Sequence, residues 1–256
     1  MLKNRSAEFY DRFASKYDQM TSDRRYDEHL ALFGNILEKH KVKSVLDCSC
    51  GTGRHVIRLV QAGYEAMGSD ISAEMISQAR RNAKAFGVDA EFIQADFKKL
   101  RDVYDRKFDC VVCWGNSLNH ELEEQGILSA LRSMRSVLKD GGLIIVQIRN
   151  LPKWVRERRR FLPMHSHKEP NGDRKVFIYA IDFFKKKARF NVMSYLESNG
   201  KPTFGVDSVD YRIVPAHDLK RFVVRAGFRK AEIYEDLRLG EFDAQRSENI
   251  VVLGFV

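Results

Sequence analysis

The sequence predicts an α/β fold with a doubly wound, mostly parallel sheet that carries an antiparallel β insertion. Two observations support this prediction. Strand and helix patterns alternate from residue 44 to residue 148, and a run of β-like segments follows Asn150. A length of 256 residues suits one α/β domain with such an insertion.

The elements of the main sheet follow in chain order. Apolar residues at helical spacing predict two amphipathic helices, over residues 6–20 and 24–40. Strands are then predicted over Ser44–Cys48, Tyr64–Ser69, Ala90–Gln94, Phe108–Trp114 and Gly142–Ile148. Helices are predicted between them over Gly53–Ala62, Ala73–Phe86 and 122–139. We expect Ser72 to cap the second of these helices and Asp140-Gly141-Gly142 to end the third.

The chain changes character after Asn150. Residues 151–170 are basic and predict a loop, whereas residues 174–198 and 203–214 alternate as strands do, with turns at Asn171-Gly172 and Asn199-Gly200. A helix over 216–226 and strands over 228–235 and 248–256 then return to the main domain. We therefore predict that the antiparallel segments lie over the sheet as a cap.

Composition narrows the class of protein. Apolar residues make up 44% and charged residues 31%, which is typical of a soluble globular chain. The longest apolar runs, Leu143–Val146 and Ile250–Leu253, are far shorter than the ~20 residues of a membrane span. Because no apolar signal core follows Met1, we expect a cytoplasmic protein without membrane contact. The formal charge of +9 favours an anionic partner, either nucleic acid or an acidic small molecule.

The cysteines and histidines give little indication of a metal site. Cys48 and Cys50 are too close for an ordinary disulfide along a strand, and Cys110 and Cys113 lie in an apolar run. We therefore expect four buried, reduced thiols. His165-x-His167 supplies two metal-ligand side chains without an evident third, so we expect no metal.

A glycine-containing turn follows the first strand, where Asp47-Cys48-Ser49-Cys50-Gly51-Thr52-Gly53 leads directly into a helix. Its two glycines let a ligand approach backbone amides at the sheet edge where ligands bind. Asp70 ends the next strand, where a carboxylate can accept hydrogen bonds from both hydroxyls of a ribose. Val56 stands where a dinucleotide site has a third glycine, and no Lys-Ser/Thr pair forms a phosphate loop. Since Asp47 would repel phosphate and attract an ammonium group, the pattern favours S-adenosylmethionine.

Five segments occur in a recognisable order: VLDCSCGTG, Asp70, QADF at 94–97, FDCVVCWGNS at 108–117 and LKDGG at 138–142. In this order they resemble the motifs of class I S-adenosylmethionine-dependent methyltransferases. The resemblance is close over residues 6–150 and holds in outline over 215–256. It implies a Rossmann-like fold, S-adenosylmethionine as cofactor, S-adenosylhomocysteine as product, and a reaction that needs no metal.

The resemblance also implies which residues bind the cofactor. Asp47, Gly51 and Gly53 would hold the methionine end, and Asp70 the ribose. Asp96 and Phe97 would contact the adenine, and Cys113 and Trp114 would line the sulfonium. Five further residues would belong to the cofactor-binding set: Tyr17, Ser49, Cys50, Ile71 and Met75.

Within that superfamily, the segment Trp114–His120 and the pair Arg149-Asn150 resemble glycine and glycine/sarcosine N-methyltransferases. The resemblance implies that Arg149 grips an acceptor carboxylate, that Asn116 orients the amine, and that Arg25 reaches the methionine carboxylate. The insertion after residue 150 does not match those enzymes, so its contribution to the acceptor pocket is not implied. Deoxyaminosugar N-methyltransferases share the framework and the histidine, but not the Arg-Asn pair.

The resemblance assigns a role to each part of the chain. Residues 1–40 would form lid helices over the cofactor site, with Tyr10 and Tyr17 facing it, although both tyrosines could equally be plain core. Residues 41–150 and 215–256 would form the cofactor-binding core. Residues 151–214 would cap the acceptor side.

The chemistry leaves several roles open. Methyl transfer from a sulfonium is an in-line displacement, so the protein mainly aligns the nucleophile and excludes water. An acceptor amine must first lose its proton, and either His120 or solvent could accept it. A hydrogen-bonding wall residue is the alternative for His120, and a structural ion pair is the alternative for Arg149.

We predict an enzyme that methylates a small-molecule amine. The acceptor that the resemblance favours is an amino acid of the glycine/sarcosine type. A sugar amine, RNA or protein is the alternative acceptor, and a non-catalytic cofactor-binding protein is the alternative to an enzyme. The basic run Arg156–Arg160 favours nucleic acid, but it lacks the interleaved aromatics that stack on bases. Relatives of this shape are often dimers or larger, and by that analogy alone a homo-oligomer and a monomer both stay open.

Overall fold

The protein is described by a computed structural model that covers residues 5–18, 23–168 and 172–256. The main sheet contains β1 (Ser44–Asp47), β2 (Glu65–Asp70), β3 (Glu91–Gln94), β4 (Phe108–Cys113), β5 (Leu138–Arg149), β10 (Lys230–Tyr234) and β11 (Asn249–Phe255). Their order across the sheet is β10-β11-β5-β4-β1-β2-β3. The strands β1 to β5 pair in parallel, and β11 runs antiparallel to both β5 and β10. The predicted mostly parallel sheet is therefore confirmed.

Seven helices accompany the sheets in the described part of the chain: α1 (Arg5–Tyr17), α2 (Asp23–Lys39), α3 (Arg54–Gln61), α4 (Ala73–Ala85), α5 (Glu124–Ser136), α6 (Leu151–Arg156) and α7 (Ala216–Arg225). Short 3-10 turns occupy Phe97–Asp102 and Ser117–His120. One core cluster joins α5 and α7 to the sheet, and a second joins α2, α3 and α4 to it. Adjacent residues of β4 alternate between the two clusters, as expected of a strand buried on both faces.

A second, antiparallel sheet consists of β6 (Phe161–Lys168), β7 (Arg174–Phe183), β8 (Lys187–Ser198) and β9 (Lys201–Arg212), in that order. We call this sheet the cap. Phe9 and Phe13 of α1 pack against its inner face, which presents Phe177, Tyr179, Val192 and Val209. The predicted antiparallel insertion is therefore present, and α1 is joined to it through buried aromatic contacts.

The end of the helix predicted over 122–139 is wrong. Helix α5 stops at Ser136, and β5 begins at Leu138. Val137 and Leu138 are both buried, and Leu138 pairs with Phe108, so packing draws the chain into the sheet before the glycines. Gly141, at φ +76°, lies within the register shift of β5 instead of ending a helix.

The loop predicted over 151–170 is also wrong, because α6 and the edge strand β6 occupy most of it. The Asn150 side chain caps α6 by accepting a hydrogen bond from the Lys153 N–H, 3.3 Å away. Lys153 and Trp154 are buried, and the Lys153 ammonium donates to the Arg246 carbonyl at 2.7 Å. The basic composition of this segment therefore indicated a loop, although the segment contains a short helix that is held by a buried lysine.

Several local predictions are confirmed. The Ser72 hydroxyl accepts a hydrogen bond from the Met75 N–H at 3.1 Å, and the Asn199-Gly200 turn joins β8 to β9. All four cysteines are buried and free. Asn171 lies outside the described residues. Within the described ranges, no helix combines the length and apolar character needed to cross a membrane.

Gly53 is required by packing at the start of α3. Its φ is +77°, and a Cβ there would lie 2.7 Å from the Phe92 ring and 2.8 Å from the Ala79 Cβ. We expect Gly53→Ala to lower the free energy of unfolding by about 2–4 kcal/mol, from left-handed strain together with overpacking. Urea unfolding measures this loss.

Gly87→Ala is the matched control, since Gly87 has φ +65° with open space around a Cβ. It should cost only the strain, roughly 1 kcal/mol. Equal losses in the two variants would contradict a packing role for Gly53.

Candidate functional site

A cavity of about 550 Å³ lies where β1, β2, β4 and β5 end, between the main sheet, α1 and the cap. Ligands bind at this edge in open α/β sheets because the carboxyl ends of parallel strands meet there. The cavity brings together thirteen of the residues predicted from sequence: Tyr17, Ser49, Cys50, Gly51, Asp70, Ile71, Met75, Asp96, Phe97, Trp114, Asn116, His120 and Arg149.

Four predicted residues are placed differently. Asp47, Gly53 and Cys113 do not line the cavity, and Asp47 and Cys113 are each only 1% exposed beneath it. Ser49 connects Cys113 to the cavity wall, since Ser49 lines the cavity and its hydroxyl donates to the Cys113 sulfur at 3.6 Å. Arg25 lies on α2, and its side chain falls outside what the structure describes.

Asp70 holds the two loops at the cavity floor. One of its carboxylate oxygens accepts the Gly51 N–H at 2.9 Å, and the other accepts the Ser72 N–H at 3.0 Å. Gly51 has φ +52°, and a Cβ there would meet no atom within 4 Å, so the turn is open towards the cavity. Burial raises the pKa of Asp70, while the backbone N–H donors oppose that rise.

Asp47 is a buried carboxyl with one unsatisfied oxygen. Its Oδ1 accepts the Ser49 N–H at 3.1 Å, whereas Oδ2 has no hydrogen-bond partner among the described residues. Burial raises the pKa of Asp47 to about 8, with a further contribution from the negative charge of Asp70. Such a group would be stabilised as a carboxylate by a nearby cation.

Trp114 forms one wall of the cavity with aromatic residues that the sequence reasoning missed. Its ring lies 5.0 Å from the His29 ring and 6.0 Å from the His55 ring, and Tyr26 contacts His55 at 5.0 Å. The indole Nε1 of Trp114 is buried without a hydrogen-bond partner in the described part of the chain. Tyr26 and His29 are three residues apart on one helix, which is the spacing that could have predicted a shared face.

Arg149 stands at the cap side of the cavity among neutral tyrosines. Its backbone N–H donates to Asn116 Oδ1 at 2.6 Å, so Asn116 connects the β4 loop to the end of β5. Burial raises the pKa of Tyr17 and of Tyr179 to about 12, and the positive charge of Arg149 opposes both shifts. Burial also raises the pKa of Tyr211, and the positive charge of Arg149 opposes that rise as well. The hydroxyl of Tyr179 is buried with no hydrogen-bond partner among the described residues.

The cap also contributes wall residues that no sequence pattern had indicated. These are Leu162, Pro163, His165, Tyr179 and Phe190. His165, considered from sequence only as half of a metal site, lies 5.7 Å from the Tyr179 ring. The side chain of His167 falls outside what the structure describes. Among the described residues, no group of three or more His, Cys, Asp or Glu could hold a metal ion.

His120 is buried and hydrogen-bonded to α1. The Tyr10 hydroxyl lies 3.0 Å from His120 Nε2, and the Tyr211 ring lies 4.8 Å from the imidazole. Burial lowers the pKa of His120 to about 4, against an opposing contribution from the Asp210 backbone. The imidazole is therefore neutral near pH 7, and it is a weak base.

Helix α1 closes the cavity by bonding to both loops of the floor. The Ser72 hydroxyl donates to Asp11 at 2.5 Å, and the Thr52 hydroxyl donates to Asp18, just beyond α1, at 2.5 Å. On the opposite side, Arg12 donates to Asp207 of β9 at 2.9 Å. Together with the aromatic packing of Phe9 and Phe13, these bonds make α1 a bridge between the glycine turn and the cap.

Comparison with known proteins shows what this chain resembles. Residues 45–142 match the family described as a methyltransferase domain. The fold of the chain is Rossmann-like and is similar to that of solved S-adenosylmethionine-dependent methyltransferases.

Individual curated proteins and solved structures are similar to this chain. A glycine/sarcosine N-methyltransferase of Parasynechococcus marenigrum is 34% identical over 145 residues, which are 56% of this chain and 51% of that protein. The chain thus spans about half the length of this curated relative. An S-adenosylmethionine-dependent methyltransferase from Clostridium acetobutylicum has the same fold, with a TM-score of 0.78 at 16% identity, covering 96% of this chain and 98% of that one. A sugar N-methyltransferase from a Streptoalloteichus species has a TM-score of 0.72 at 20% identity, and the match covers 90% of this chain and 87% of that one.

The lowered pKa of His120 leads us to predict how the free energy of unfolding depends on pH. Since the folded value is about 4 and the unfolded value is about 6.5, the unfolded chain binds the proton first as the pH falls. His120 should therefore destabilise the fold progressively between about pH 6.5 and 4, by up to roughly 3 kcal/mol.

Urea unfolding of the parent protein and of His120→Asn across this range tests the prediction. Carboxylates that titrate in the same range are common to both proteins, so the difference between the two curves isolates His120. Parallel curves would show that the imidazole is not buried in its neutral form.

Proposed function

We propose that this protein transfers a methyl group from S-adenosylmethionine to the amine of a small molecule that bears a carboxylate, an amino acid of the glycine/sarcosine type. The observation that carries the proposal is the position of Arg149 on the wall of the main cavity, beside Tyr17 of α1 and Tyr179 of the cap. A guanidinium at such a place matches a carboxylate bidentately, and partial exclusion of water strengthens the pairing.

The residues at the sheet edge fit the proposed cofactor. The open Gly51 turn admits a ligand to the backbone, and the unsatisfied Asp47 Oδ2 suits an ammonium group at the methionine end. Asp70 would hold the ribose, and Asp96 and Phe97 lie farther along the same cavity, where the adenine would be held. When bound, S-adenosylmethionine supplies a methyl group already activated by the sulfonium charge.

The protein's own part in the reaction is alignment and exclusion of water. Arg149 would bind the acceptor carboxylate, and the Asn116 and Tyr17 side chains would restrict how the amine approaches. We assign His120 a positioning role, because its Nε2 is engaged by Tyr10 and its low pKa makes it a poor base. Solvent would then take the amine proton before the acceptor binds, and α1 would act as the lid.

Three arginines of the basic run Arg156–Arg160, which favoured nucleic acid, make contacts within the protein. Arg159 pairs with Glu248 at 2.7 Å and with Glu157 at 2.6 Å, and Arg160 pairs with Asp182 at 2.5 Å. Arg156 donates to the Ala244 carbonyl. These contacts support a small-molecule acceptor over a phosphate backbone.

A sugar amine is the second candidate. Tyr10, Tyr17, Tyr179 and Tyr211 all have raised pKa values, so they offer neutral hydroxyls that could bond to sugar hydroxyls. A sugar amine carries no carboxylate, so the role of Arg149 separates the two candidates.

We expect Arg149→Ala to raise KM for amino-acid acceptors about 10–100-fold, because a charge-assisted hydrogen-bonded pair is worth about 1.5–3 kcal/mol. The measurement is methyl transfer from labelled S-adenosylmethionine to glycine and sarcosine. Arg149→Lys should restore part of the affinity, since it keeps the charge and loses the bidentate geometry.

Arg229→Ala is the matched control, because Arg229 is an exposed arginine that bonds to the carbonyl of Val256 far from the cavity. Affinity for S-adenosylhomocysteine should remain unchanged in all three variants. If Arg149→Ala methylates amino acids as well as the parent does, the proposed carboxylate clamp is wrong.

Asp47 predicts a pH dependence of cofactor binding. An ammonium ligand favours the carboxylate, so binding must release the proton that Asp47 holds below pH 8 in the free protein. We expect the affinity for S-adenosylhomocysteine to rise about tenfold per pH unit from pH 6 and to level off near pH 8. Calorimetry in buffers of different ionisation enthalpy would show one proton released below the plateau.

Asp47→Asn should bind more weakly and lose this dependence, because the amide does not titrate in the range. A parent protein whose affinity is constant from pH 6 to 8 would contradict the assignment of Asp47 to the ammonium group.

A further inference from the structure

A second, smaller cavity of about 110 Å³ adjoins the main cavity on the cap side of Arg149. The two cavities share the wall residues Tyr10, Tyr17, Gly115, Asn116, Arg149 and Phe190. We call the smaller one the side cavity. Arg149, the proposed carboxylate clamp, therefore stands where the two spaces meet.

The interior of the side cavity is apolar. Beyond the shared wall it is formed by Tyr211 and by Phe9, Phe13, Leu151, Trp154, Ile181 and Val192, the last six each at most 4% exposed. The Tyr211 hydroxyl is the polar side-chain group of this unshared part that contacts the shared wall, where it bonds to Tyr10. Other polar groups of the shared wall are also engaged: Tyr10 with His120, and the Asn116 oxygen with the Arg149 N–H. Water in such a space would find few partners, so an apolar group is the occupant that it suits.

The volume sets the size of that occupant. An engineered apolar cavity of ~150 Å³ stays dry and binds benzene, so 110 Å³ suits about three or four carbon atoms. Close packing is normal in protein interiors, and an unfilled apolar space of this size destabilises a fold. The walls come from α1, α6, the end of β5 and the cap strands β7, β8 and β9, elements with different positions in the chain, as expected of a space formed between α1 and the cap.

The arrangement matches the three substituents of an α-amino acid. The Arg149 guanidinium lies 5.1 Å over the Trp154 ring, so it is held at the junction by stacking. A carboxylate bound there would leave the amine in the main cavity and would direct the side chain into the side cavity.

We propose that the acceptor is an α-amino acid with a branched aliphatic side chain, of the valine, leucine or isoleucine class. This inference rests on the proposed transfer to a carboxylate-bearing amine and specifies a larger side chain than that of glycine or sarcosine, because those two have no group that would fill the side cavity.

The first test compares acceptors on the full chain with labelled S-adenosylmethionine. Glycine, alanine, valine, leucine and isoleucine serve as acceptors, together with an aminosugar. We expect kcat/KM for the best branched amino acid to exceed that for glycine at least tenfold, since each buried methylene favours binding. Calorimetry of leucine and glycine with the complex of the protein and S-adenosylhomocysteine should give the same order of affinity.

The second test fills the side cavity by Val192→Phe. The variant should lose at least tenfold in kcat/KM for leucine and retain the value for glycine, which reverses or removes the preference. Val206→Phe is the matched control, because Val206 is 67% exposed on the same cap and lines neither cavity. Its acceptor preference should equal that of the parent.

Val192→Ile is a milder filling that should reduce the preference in the same direction if Val192→Phe does not fold. Thermal unfolding and S-adenosylhomocysteine binding establish that each variant is folded.

The outcomes separate the inference from the proposed function. A preference for glycine, or a preference for leucine that Val192→Phe leaves unchanged, overturns the inference and leaves the proposed function standing. Transfer to the aminosugar alone, with cofactor bound, overturns both.

Discussion

The two hydrogen bonds that Asp70 accepts, from the Gly51 and Ser72 N–H groups, hold the turns after β1 and β2 in one geometry. From these turns, Thr52 donates a hydrogen bond to Asp18 at the end of α1, and Ser72 donates one to Asp11 within it. Since α1 also packs on the cap through Phe9 and Phe13, one carboxylate connects the turns after β1 and β2, helix α1 and the cap. The shape of the cavity therefore depends on contacts between several elements of the chain, and no single element determines it.

Burial gives the two ends of the cavity opposite electrostatic character. At the floor, Asp47 and Asp70 are desolvated, so that negative charge is available only when a donor or cation stabilises it. At the cap side, Arg149 is surrounded by tyrosines whose hydroxyls stay neutral.

Much of the fold could be predicted from local patterns. The alternation of strands and helices, the Ser72 cap, and the glycine turn paired with Asp70 all depend on residues a few positions apart or on adjacent strand ends. The errors arose where distant packing outweighs a local signal. Val137 and Leu138 enter the core before Gly141, and Lys153 is anchored by a carbonyl 93 residues away.

The sequence by itself determined the class of fold, the edge of the sheet at which the cavity lies and thirteen of the residues that line it, because those features follow from hydrophobic period and from motifs on neighbouring strands. Only the tertiary structure decided the cap side of the cavity. It placed Tyr10 against His120, 110 residues along the chain, and it built the side cavity from α1, α6, the end of β5 and three cap strands. The physical reason is that cavity volume, burial and the resulting pKa values arise from contacts between distant segments, which leave no periodic trace in the chain.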